Sequence, residues 1–122
     1  MKLPDRIRKR IILENDDKSY SASDVLGICT ELKIPMVIDI HHHNCVNNGE
    51  KLQHLLPEVF RTWEGEYFNP KIHFSSPKSP TSFRSHADDI DLQEFIDFLK
   101  VAKTTEKNFD VMLEAKNKDA AL

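Results

Sequence analysis

Four short apolar runs, each ending in acidic, amide, imidazole or hydroxyl side chains, constrain this chain more than any other feature. Ile11-Ile12-Leu13 leads into Glu14-Asn15-Asp16-Asp17, and Met36 to Ile40 into His41-His42-His43-Asn44. Lys71 to Phe74 leads into Ser75-Ser76-Pro77, and Phe109 to Leu113 into Glu114. Short runs of this kind read as buried strands. Between them, Val25, Leu26, Ile28, Cys29 and Leu32 fall at helical spacing, after a capping segment from Ser21 to Asp24 and before Pro35. Glu50 to Trp63 repeats the pattern with Leu52, Leu55, Leu56, Val59 and Phe60, although Pro57 interrupts it. Asp91 precedes a third apolar face of Leu92, Phe95, Ile96, Phe98, Leu99 and Ala102. Strands alternating with helices predict consecutive βα units around a parallel sheet, an α/β fold.

With 122 residues the chain is one domain at most, and 39% hydrophobic content supports a modest core. No glycine-rich phosphate loop follows any strand, and the whole chain has three glycines, which disfavours a doubly wound dinucleotide fold. The pattern fits instead about four βα units of a TIM-type (β/α)8 barrel, half of what closure needs. Residues 1–122 are therefore expected to form a single partial domain with open sheet edges, suited to a missing half or to self-association. No apolar run is long enough to span a membrane, and the basic start from Lys2 to Arg10 has no apolar run of the kind a secretory signal carries. Cys29 and Cys45 stand singly, which fits free core thiols and a reducing, cytoplasmic setting. A net charge of −3 argues against gripping nucleic acid by bulk charge, but carboxylates gathered around cations would make the working surface more basic than this sum.

Parallel α/β folds build their sites at the carboxyl ends of the strands. There the chain offers Glu14, Asp39 with His41, His42 and His43, His73 with His86, and Glu114. Carboxylates plus imidazoles, without a thiolate cluster, suit Zn, Mn or Fe in a site with open positions. On a continuing strand, His41 and His43 would share a side with Asp39 and His42 would oppose them, unless the chain has already turned. Period-two alternation sets Lys71 on the side of His73; buried there, its amine could become a nucleophile that adds carbon dioxide, or it could snorkel to solvent.

The runs LENDD at Leu13 to Asp17, MVIDIHHHN at Met36 to Asn44, PKIHFSSPK at Pro70 to Lys78, FRSHAD at Phe83 to Asp88 and FDVMLEAK at Phe109 to Lys116 closely resemble the UV damage endonucleases. The resemblance runs in order along nearly the whole chain. It implies the C-terminal half of a TIM-type barrel with about three divalent metal ions, usually manganese, at its strand ends. It implies an endonuclease of DNA repair that hydrolyses the backbone of double-stranded DNA on the 5′ side of ultraviolet photoproducts. Carried onto this chain, it makes Glu14, Asp39, His42, His73, His86 and Glu114 metal ligands and Lys71 the lysine found carboxylated, with Glu14, Lys71 and His73 closest to catalysis. Lys78, Arg84 and Lys116 are candidates for phosphate contacts. Part of the family's barrel has no counterpart here, so the isolated chain is expected to be inactive. A divalent-metal sugar isomerase or epimerase, and a non-catalytic metal-binding fragment that assembles with another chain, are the competing readings.

Overall fold

A computed structural model of the chain describes residues 4–8, 10–76 and 90–114. The order is α1 (Asp5–Arg8), β1 (Leu13–Glu14), α2 (Ala22–Leu32), β2 (Met36–Asp39), α3 (Ile40–Cys45), α4 (Leu52–Arg61), β3 (Lys71–Phe74), α5 (Leu92–Lys103) and β4 (Asp110–Leu113). The strands form one sheet in the order β1-β2-β3-β4, every pair parallel. Strand order that follows chain order, without reversal, is barrel winding and offers no switch point of the doubly wound kind.

Burial shows the consequence. Met36, Ile38, Ile72 and Phe74 point to one side of the sheet and are almost wholly enclosed with Val25, Cys29, Leu56, Val59 and Phe98 from the helices. The opposite side of β3 and β4 carries Lys71, His73, Asp110 and Met112, and Met112 remains 51% exposed. The helices thus cover one face, and the opposite face is exposed along β4 but buried at β2, where Val37 and Asp39 lie.

Local signals account for the elements. Ser21 and Asp24 form a capping box: Ser21 Oγ accepts from the Asp24 N–H at 3.2 Å, and the Ser21 N–H donates to Asp24 Oδ2 at 3.0 Å. Lys33, at φ 58°, closes α2 in the left-handed conformation two residues before Pro35. Asp91 caps α5 through the Glu94 N–H at 3.0 Å. Pro57 lies within α4 on its exposed side, as does Gln53 one turn earlier, so water can serve the carbonyl that lacks a helical donor. Thr62 Oγ1 accepts from the Met36 N–H at 2.9 Å and Trp63 Nε1 donates to Met36 O at 2.7 Å, which ties the end of α4 to the start of β2. Expected bounds differ by a residue or two at β1 and β4, as helix and strand ends commonly do. The tail from Asn117 to Leu122, whose sequence reads as the start of a further helix, lies outside the described residues.

Cys29 is fully enclosed in the core, and burial pushes its thiol up to about 11. Cys45 is only partly covered. Iodoacetamide at mildly alkaline pH should therefore label Cys45 of the folded chain and spare Cys29 until denaturant is added. Equal labelling of both in mass spectra of the folded chain would show that the α2 core is open.

Candidate metal centre at the strand ends

Glu14 ends β1, Asp39 ends β2, His73 is the penultimate residue of β3, and Glu114 follows β4. Parallel pairing aligns Asp39 with His73, and the Glu114 N–H donates to Phe74 O at 2.9 Å. Register alone therefore brings residues 25, 34 and 41 positions apart to one edge of the face opposite the helices. The side chains converge. His73 Nδ1 lies 3.1 Å from Glu14 Oε1 and 2.9 Å from Glu114 Oε1. Glu14, Asp39 and His42 offer one ligand atom each within 4.8 Å of one another, and so do Asp39, His73 and Glu114. Asp39 is common to both groups.

Of the two arrangements left open for the histidines, the chain adopts the turned one. Asp39 caps α3, accepting the His42 N–H through Oδ1 at 2.8 Å, and the chain turns into a helix at Ile40. Successive side chains then rotate by about 100° rather than 180°. His42 faces the carboxylates, with Nδ1 3.6 Å from Asp39 Oδ2 and 3.9 Å from Glu14 Oε1. His41 and His43 are buried away from solvent. His41 Nε2 sits 3.9 Å from Cys45 Sγ, and burial lowers the imidazole of His43 below its ordinary value.

Asp39 is 1% exposed. Burial is the main cause that raises its carboxyl above the ordinary range; the Glu14 carboxylate pushes the same way, and the His42 N–H opposes both. Three carboxylates, one of them the buried Asp39, and two imidazoles are a donor set that could hold a cation, and oxygen plus nitrogen donors fit Mn, Zn or Fe. Lys71 stands apart from both groups. Its Nζ donates to Asp110 Oδ2 at 2.9 Å and lies 5.7 Å from the centre of the Phe68 ring. His86, Lys78, Arg84 and Lys116 lie outside the described residues.

Sequence reasoning passed over Asn15, although its place beside Glu14 at a strand end was the available signal. Asn15 is 1% exposed, and its side-chain amide bonds both main-chain groups of Asp39. The same loop is tied by Asp16, whose Oδ1 accepts from the N–H groups of Lys18, Ser19 and Tyr20, and the last two hold its carboxyl below the ordinary range.

The model of the family described as UV-endonuclease UvdE matches residues 1–122. The chain belongs to the UvdE family. It is 50% identical over 121 residues to a UV DNA damage endonuclease of Bacillus cereus (strain Q1), and 48% identical over 121 residues to one of Bacillus mycoides (strain KBAB4). In both cases the match covers 99% of this chain and 38% of the relative. The crystal structure of SacUVDE superposes with a TM-score of 0.83 at 36% identity, over 98% of this chain and 39% of that one. The chain thus spans well under half the length of the UvdE relatives it matches, and its four-stranded sheet is a partial barrel.

Proposed function

We propose that this UvdE chain supplies metal ligands of a metal-dependent DNA repair endonuclease that cuts 5′ to ultraviolet photoproducts. The observation that carries the reading is the convergence of Glu14, Asp39, His42, His73 and Glu114 on one strand-end edge, with Asp39 shared between two ligand groups. Divalent ions, with manganese the assigned metal and about three in the complete site, would acidify water and take up charge on the phosphate oxygens.

The chain's own residues do the holding and orienting. Glu14 and Glu114 present carboxylates to His73, Asp39 presents a third within the same groups, and His86 is assigned to the same set. Lys71, two residues before His73 on the face opposite the helices, is assigned as the carboxylated lysine: the neutral amine nitrogen would bond to the carbon of carbon dioxide and release one proton to solvent, giving an anionic carbamate oxygen donor. In the present arrangement that amine donates to Asp110 Oδ2. Lys78, Arg84 and Lys116 are assigned to backbone phosphates of irradiated double-stranded DNA, which places the protein with DNA inside the cell. Among the described residues no helix is long and apolar enough to cross a membrane.

Residues 1–122 are read as one partial domain that does not incise alone. The wall of the barrel opposite these strands is assigned to the remaining portion of the protein, and misplacement of reacting groups by about 1 Å can cost on the order of 100-fold in rate. The test joins this chain to the remaining portion of the Bacillus cereus relative and incubates it with manganese and an irradiated duplex. Nicking 5′ to the lesion is expected from the joined protein, not from the chain alone, and loss of nicking in the Glu14→Gln form or in excess chelator. Full activity of Glu14→Gln would end the metal reading, and comparable nicking by the chain alone would end the partial-site reading. Labelled bicarbonate should give the metal-loaded protein a carbamate carbon signal that Lys71→Ala lacks; no such signal would remove Lys71 from the set.

A further inference from the structure

Asn15 follows the last residue of β1, where the main-chain ladder with β2 stops. Its side chain takes over. Asn15 Oδ1 accepts the Asp39 N–H at 2.9 Å, and Asn15 Nδ2 donates to Asp39 O at 3.1 Å. Only this orientation of the amide satisfies both groups, because the Asp39 N–H can only donate and its carbonyl can only accept. A single amide therefore extends the β1–β2 pairing by one residue and pins the backbone of the carboxylate common to both ligand groups.

The main-chain carbonyl of Asn15 points elsewhere, to His42 Nδ1 at 2.8 Å. A carbonyl oxygen has no proton to give, so the ring must donate from Nδ1, and the neutral imidazole carries its lone pair on Nε2. The carboxylate oxygens at 3.6 and 3.9 Å from the same nitrogen are too distant to compete. Ligating histidines commonly have their other ring nitrogen held in this way by a carbonyl or carboxylate.

We infer that Asn15 is a positioning residue for the metal centre, its side chain holding Asp39 in place while its carbonyl sets the tautomer and ring orientation of His42. The inference rests on the metal reading above and adds to it a residue that touches no metal. It also accounts for the residue type. Aspartate in this place would set an oxygen against the Asp39 carbonyl, and leucine would fill the volume while leaving two buried main-chain groups without partners.

The experiment uses the chain without metal, then with manganese alone. Nitrogen-coupled NMR of the imidazoles at mildly alkaline pH should show His42 as the Nδ1–H tautomer; the Nε2–H tautomer would overturn the inference without any variant. Asn15→Leu should then weaken manganese binding by about 10–100-fold and give His42 a mixture of tautomers. Asn15→Ala, which leaves room for water at the strand end, repeats the measurement if the leucine form does not fold. Affinity within about twofold of the unaltered chain, with the tautomer unchanged, would overturn the positioning role. An unaltered chain that binds no manganese would overturn the metal reading and this inference with it, a result distinct from normal binding in both variants.

Discussion

Asp39→Asn is expected to weaken manganese binding by at least the ~10–100-fold typical of losing an outer partner, because Asp39 is common to both ligand groups. The same substitution should leave the metal-free fold intact. Asparagine caps a helix about as well as aspartate, so the bond that Asp39 Oδ1 accepts from the His42 N–H survives. It also removes a carboxylate that is almost wholly buried beside Glu14, and burying such a charge without a cation is unfavourable. The melting temperature of the metal-free chain should therefore stay level or rise while titration calorimetry records the loss of affinity. Unchanged affinity would remove Asp39 from the metal centre. A fall in melting temperature in the metal-free state would mean that its charge, and not a cation's, is already balanced within the chain.

Ile72→Ala should destabilise the fold by about 2–5 kcal/mol, the range for emptying a fully buried aliphatic site. Ile72 is 0% exposed at the centre of β3, on the helix-covered side. Total stability of domains this size is about 5–15 kcal/mol, so the shift in a urea denaturation midpoint should be large. Met112→Ser, on the open side of β4, should change stability by only about 0.5 kcal/mol or less. Comparable losses at the two sites would show that the open side of β4 is packed as tightly as the covered side of β3.

The alternation of strands and helices was legible because its signals are local. The Ser21 and Asp24 box, the Asp91 cap and the apolar spacing of Leu55, Leu56, Val59 and Phe60 all act within a turn or two of helix. At the end of β2 the same reasoning left two arrangements open, histidines alternating on a strand or a chain already turned. Asp39 closes β2 and is also the N-cap of α3, so the chain turns at Ile40. Asp is a strong N-cap residue, so the turn at Ile40 had a local signal, masked by the apolar run before it. The helix read across Pro57 is present, with the proline on the exposed side of α4.

Strand-end chemistry was likewise visible residue by residue, since Glu14, Asp39, His73 and Glu114 each close an apolar run. Their mutual arrangement was not. The alignment of Asp39 with His73 and the 2.9 Å approach of Glu114 to His73 follow from parallel register, a property of pairs far apart in the chain. Periodicity along one segment carries no information about register between two. Asn15 shows the same division most clearly: its identity is local, but its bonds to Asp39 and His42 exist only once β1 and β2 lie side by side. Sequence alone determined the four strands, the three longer helices, their order and the kinds of donor at each strand end, because those depend on neighbours within a few residues. Tertiary structure alone decided how His42 is turned toward the carboxylates, which carboxylate is common to both groups and which face of the sheet the helices cover, because those depend on packing between segments.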